Sequence, residues 1–158
     1  MSRYPPTDIR ERTFQFACAI VRFCNGLSET PGAPRHIAYQ LLDAGTSIGA
    51  NVEEAKAAYS KREFISKNSI ALKEARETLF WLRLVAACAL ARGDDLEHLL
   101  DEANQIVAIL TSTVRTARLR LVGKFAILLP SSFFLLTSNF FLLTFHLSRF
   151  LDHDSPGH

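Results

Sequence analysis

Apolar side chains recur at steps of three and four along nearly all of the first 121 residues, the spacing of one stripe on a packed α-helix. The first run goes from Asp8 to Leu27 through Ile9, Thr13, Phe16, Ile20, Phe23 and Leu27. Asp8, with Glu11 three residues on, predicts an acidic N-terminal cap; Gly26 and the Thr30-Pro31-Gly32 cluster predict the stop. The second run opens at Pro34, a good first-turn residue because its missing N–H needs no partner there. It is predicted to reach Tyr59 along Ile37, Leu41, Ile48, Val52, Ala55 and Tyr59. A third is predicted from Ser60, where Glu63 completes a capping box, to a left-handed stop at Gly93. Its stripe is Phe64, Ala71, Ala75, Leu79, Leu82 and Ala86. The fourth begins at Asp94 and steps through Leu96, Leu99, Ala103, Ile106, Leu110, Val114, Ala117 and Leu121. Four such helices joined by short turns predict an all-α, antiparallel up-down-up-down four-helix bundle, with Ile20, Leu41, Leu79 and Leu110 facing inward.

The pattern breaks after Leu121, which divides the chain into a bundle domain, 1–121, and an apolar low-complexity tail, 122–158. Residues 125–148 carry no formal charge, and seven of the twelve Phe fall between Phe125 and Phe150. Residues 131–137 (SSFFLLT) and 138–144 (SNFFLLT) are one heptapeptide repeated with a single change, Ser132 against Asn139. Three readings stay open for this segment. It is long enough for a membrane anchor, with basic residues before it and Asp152 and Asp154 after it, although Pro130, Asn139, His146 and the Ser/Thr residues oppose that. It could instead form a hairpin or fifth helix over the bundle, or be translated repetitive DNA. In every case a free Phe/Leu-rich segment is an aggregation hazard.

Composition narrows the function classes. Eighteen Lys+Arg against 16 Asp+Glu leave a formal charge of +2, too small to argue nucleic-acid binding by itself. Cys18, Cys24 and Cys88 have no zinc or disulfide spacing and read as small core residues in a reducing compartment. The charged, Pro-containing start has no secretory signature, so a cytoplasmic protein is expected. No Glu is followed three residues later by His, which excludes the di-iron bundle site; no nucleophile elbow or HExxH is present. The sequence therefore predicts no catalytic residue, metal or cofactor.

Three groups of residues depart from a plain bundle. Gly45 and Gly49, each costing about 1 kcal/mol relative to Ala inside a helix, predict close approach of another backbone, within the chain or between subunits, with a ligand-facing role as the lesser reading. Asn51 lies beside them. Among the dense carboxylates, Glu54, Glu74 and Glu77 are candidates for meeting another subunit, the plainer reading being solvated faces and ion pairs. Arg115, Arg118, Arg120 and Lys124 gather near the predicted end of the fourth helix. They suit its dipole, a phosphate backbone, or the cytoplasmic flank of a membrane segment.

Residues 40–55 (QLLDAGTSIGANVEEA), 60–84 (SKREFISKNSIALKEARETLFWLRL) and the opening FQFACAI of Phe14–Ile20 resemble the bacterial four-helix-bundle proteins found in intervening sequences of 23S ribosomal RNA genes. The resemblance spans about Phe14 to Leu121 and stops before the tail. It implies the same bundle and a homo-oligomer, a ring of five as in relatives. Those relatives include the accessory protein of diversity-generating retroelements, which binds nucleic acid and works with a reverse transcriptase. It implies RNA or DNA as a partner and supplies no catalytic residue. The reading for this chain is a non-catalytic, self-associating binding or scaffold module. Its rival is a bundle tethered to a membrane through residues 125–148.

Overall fold

A computed structural model describes residues 8–128, with side chains as far as residue 122. It contains four helices and, among the described residues, no strand: α1 (Ile9–Ser28), α2 (Ala33–Ala57), α3 (Lys61–Ala87) and α4 (Asp94–Leu128). The chain divides into two units between Leu119 and Arg120, and the four-helix packing lies within the first. The repeats at 131–137 and 138–144 lie outside the described residues, as does the uncharged run beyond residue 128. No described helix is long and apolar enough to cross a membrane.

Local chemistry sets the helix ends. Asp8 caps α1, its Oδ1 accepting the Arg10 N–H at 3.0 Å. Ser60 caps α3 by accepting from the Glu63 N–H at 3.1 Å. The reciprocal half of the box is displaced by one residue, because the Glu63 carboxylate accepts from the N–H of Tyr59 rather than of Ser60. Helix α2 ends at Ala57, two residues short of the expected Tyr59, which is 92% exposed rather than part of the stripe.

Helix α3 also stops early, at Ala87 rather than Gly93. Ala89 takes the left-handed conformation (φ 53°), its N–H bonds the Ala86 carbonyl, and the Leu90 N–H reaches back to Val85 at 3.0 Å. This is a Schellman ending with alanine where glycine is the usual occupant. Leu90 packs against the core, which anchors the turn despite the strain. Gly93 (φ 114°) instead opens α4, its carbonyl accepting from Leu96 and Glu97. Ala89→Gly relieves the left-handed penalty and is expected to stabilise the protein by about 1 kcal/mol in chemical denaturation; a loss of stability would contradict the assignment.

Each helix folds back on the one before. Along α1 and α2, Thr13 meets Gly49 while Ile20 meets Gly45. Lys67 of α3 pairs with Glu54 of α2 across their short turn. Arg118, far along α4, donates to the Ser69 hydroxyl in the first half of α3 at 3.2 Å. The core between them contains Ile20, Leu41, Ile48, Leu82, Ile106 and Leu110, all 0–1% exposed. Each such side chain contributes about 1.5–3 kcal/mol by leaving water.

The buried stripes differ in detail from the predicted ones. In α1, Cys24 is buried and Phe23 is only half-buried. In α3 the inner positions are Asn68, Ala71, Ala75, Thr78, Leu82 and Val85, with Leu79 half-buried and Ala86 exposed. Two of those inner residues are polar, and Thr13 of α1 is a third. They are tolerated because each satisfies itself on its own helix: Asn68 on the Phe64 carbonyl, Thr78 on that of Glu74, Thr13 on that of Ile9. Cys24 is a core thiol, and burial pushes its pKa up to about 11. Cys18 is half-buried and Cys88 is exposed at the end of α3, so only one of the three thiols fits the expected core role.

One ion pair ties α1 to α4. The Arg12 guanidinium donates through Nε to Glu102 Oε1 at 2.5 Å and through Nη2 to Glu102 Oε2 at 2.8 Å, and also reaches Gln105 Oε1 at 2.5 Å. Hydrogen bonding to Glu102 raises the Arg12 pKa above its ordinary value.

Candidate nucleic-acid interface

The basic residues expected near the end of α4 are only partly gathered by the fold. Arg115 and Arg118 are exposed and precede the division after Leu119, so both sit among the elements of the bundle. Arg120 is exposed beyond that division, and the side chain of Lys124 lies outside the described residues. The helix itself continues to Leu128, so these cations do not occupy its last turn, and complementing the helix dipole does not account for them. Arg118 meets α3 through the Ser69 hydroxyl, and neither it nor Arg115 has a carboxylate partner among the described residues.

The close-packing candidates separate into different roles. A Cβ on Gly45 would stand 2.8 Å from Cγ2 and 3.3 Å from Cβ of the fully buried Ile20, so contact within the chain alone requires glycine there. A Cβ on Gly49 would meet the Thr13 backbone at 3.5 Å, an ordinary contact. Gly49→Ala is therefore expected to stabilise the bundle by about 1 kcal/mol through helix propensity, read as a higher denaturation midpoint; a lower midpoint would reveal a contact outside the single chain. Gly49 lines a groove between α1 and α2 whose walls include Arg10, Phe14, Thr46 and Glu53.

Asn51 is half-buried and donates to the Ser47 carbonyl at 2.9 Å. Glu54 pairs with Lys67 on the surface. Glu74 lies 3.9 Å from Lys73, the outer limit of an ion pair. Glu77 accepts from the Trp81 indole at 3.4 Å. Each of these polar groups thus has a partner within its own chain. No group of His, Cys, Asp and Glu among the described residues is placed to hold a metal.

Sequence reasoning missed two features. Arg12–Glu102 joins residues 90 apart, a separation no helical spacing reveals. The other is the outward face of α3. At about 100° per residue, Arg62, Lys73, Arg76 and Arg83 all fall within roughly 40° of Ser69. Their spacing of 3, 7 and 11 residues is visible in the chain, but its meaning depends on knowing which side of α3 faces water.

Fold and surface together define an all-α four-helix bundle with exposed arginines on α3 and α4. The chain belongs to the 23S rRNA-intervening sequence protein family, whose model matches residues 7–112. It is also similar to a crystal structure of a protein of unknown function from the S23 ribosomal protein family of Bacteroides thetaiotaomicron VPI-5482. The two are 33% identical with a TM-score of 0.62, over 68% of this chain and 98% of the other. No curated protein matches the chain.

Proposed function

We propose that this protein is a non-catalytic, self-associating bundle of the cytoplasm that serves as a nucleic-acid-binding or scaffold module. The observation that carries the reading is the pair Arg115 and Arg118, exposed on α4, Arg118 reaching Ser69 of α3, without a carboxylate partner among the described residues. Buried or paired arginines would already be committed to the fold, as Arg12 is; these two are available to phosphate. Membership of a family named for a ribosomal RNA intervening sequence supports the same partner class. Homo-oligomerisation, as a ring of five, rests on the family resemblance and on exposed large apolar residues such as Phe14, Tyr39 and Tyr59.

The test is a salt series of the full chain binding structured RNA, duplex DNA and single strands, with light scattering to give the solution mass. Binding that weakens linearly in log affinity against log salt is the expected result. No binding to any nucleic acid at low salt removes the nucleic-acid reading, and a monomeric mass removes the ring.

A further inference from the structure

Some cations elsewhere on the bundle are paired, Arg10 with Asp8, Arg12 with Glu102 and Lys67 with Glu54, while Arg22, Lys56 and Arg92 are exposed singly on α1, α2 and the turn before α4. On the outward face of α3 they gather. Arg62, Arg76 and Arg83 are exposed and have no carboxylate partner among the described residues. Lys73 has only the distant Glu74, and its side chain is 76% exposed. The nearest carboxylate on the helix, Glu77, sits about 80° round from Ser69 and is occupied by the Trp81 indole. With Arg118 reaching across from α4 to Ser69, five cations line one side of α3. They extend about 30 Å along the helix axis at 1.5 Å per residue.

One large apolar residue stands among them. Phe80, on the same face between Arg76 and Arg83, is 56% exposed, and its ring is held edge-on by Trp81 at a centroid distance of 5.0 Å and an interplanar angle of 72°. The edge contact with Trp81 still leaves more than half of Phe80 in water, beside guanidinium groups that have no carboxylate partner among the described residues. A chain that presents both phosphates and flat, unpaired base faces complements both features. A duplex satisfies the cations but offers no base face to Phe80. Ser66, exposed on the same side of α3, adds a hydroxyl that can meet a ribose 2′-OH.

We propose that the outward face of α3, extended by Arg115 and Arg118, binds a single RNA strand, the arginines taking the phosphates and Phe80 stacking on one base. The proposal rests on the nucleic-acid reading above and specifies its surface and partner.

The experiment measures binding of the full chain to a single-stranded RNA oligonucleotide over a salt series. Comparisons are the same sequence as single-stranded DNA and as an RNA duplex. Replacing Arg62, Arg76 and Arg83 together by Gln is expected to reduce the log–log salt slope by about 2, since each single-strand phosphate contact contributes about 0.7. Affinity should fall at least about tenfold near physiological salt with it. Phe80→Ala should weaken binding of the RNA single strand about 5- to 100-fold while leaving the salt slope unchanged. Lys56→Gln, an exposed charge on α2, is the control and should do neither. These are surface changes, so unchanged far-UV circular dichroism verifies that each variant is folded.

If the chain binds nucleic acid with a salt slope that the triple arginine variant does not alter, this surface is wrong while the general reading survives. Equal affinity for the duplex or for single-stranded DNA overturns the single-RNA assignment. No binding to any of the three removes both.

Discussion

Ile20→Ala is expected to destabilise the bundle by about 2–5 kcal/mol and to reverse the sign of a second substitution, Gly45→Ala. Ile20 is fully buried between α1 and α2, so its truncation leaves a cavity in addition to the lost transfer energy. In the natural sequence a methyl at position 45 would fall 2.8 Å from Ile20 Cγ2, 3.1 Å from Cγ1 and 3.3 Å from Cβ. Ile20 is β-branched, and a change of rotamer cannot remove its Cβ. Overpacking of about 1–3 kcal/mol therefore outweighs the gain of about 1 kcal/mol in helix propensity, and Gly45→Ala alone destabilises. Once Ile20 is Ala, both γ carbons are gone. The added methyl then fills part of the cavity and keeps its propensity gain. A double-mutant cycle by chemical denaturation should give a coupling of at least about 1 kcal/mol. Additive effects would show that Gly45 is required for some other reason, such as contact with a second subunit.

Arg12→Ala is expected to cost about 2 kcal/mol, between the value of an exposed ion pair and that of a fully buried one. The side chains of Arg12 and Glu102 are 11% and 27% exposed, so screening is partial. Removing the guanidinium strands the Glu102 carboxylate and the Gln105 carbonyl that it bridges. Arg12→Lys should recover little, because an ammonium cannot reproduce the two-pronged geometry. Glu102→Gln should be milder than Arg12→Ala, since the amide oxygen still accepts one of the two bonds. The readout is the denaturation midpoint at low and high salt. A change in Arg12→Ala of less than about 0.5 kcal/mol, within the range of ordinary surface substitutions, would mean that the contact is not formed.

Much of the fold was legible because helical periodicity is local. The stripe of α4 from Leu96 to Val114 is buried as its spacing required, and Asp8 and Ser60 cap helices where their side chains said they would. The errors have a common cause. Phe23 outranks Cys24 in hydrophobicity, and Leu79 outranks Thr78, yet in each pair the neighbour faces the core. Helix rotation is fixed by how whole faces fit together, and a small or self-bonded polar side chain fits where a larger one does not. Likewise Gly93 looked like the stop for α3, but a good seat for Leu90 against the core allowed Ala89 to bend the chain earlier.

The candidate surface was less legible. Arg115 and Arg118 stood out as a cluster in the chain, whereas Arg62, Lys73, Arg76 and Arg83 looked like part of an evenly mixed charge pattern. Their net effect cancels in the total of +2. It emerges only after Glu63, Glu74 and Glu77 are seen to turn off the outward face.

By itself the sequence determined the class: four amphipathic helices, their approximate ends, and membership of a family of bundles, because backbone hydrogen bonding and apolar spacing act within a few residues. Only the tertiary structure decided which side of each helix is inside, why Gly45 must lack a side chain, that Arg12 and Glu102 meet, and which cations are left unpaired. Those properties depend on atoms brought together from distant parts of the chain, and close packing, charge pairing and exclusion of water are all functions of distance in space.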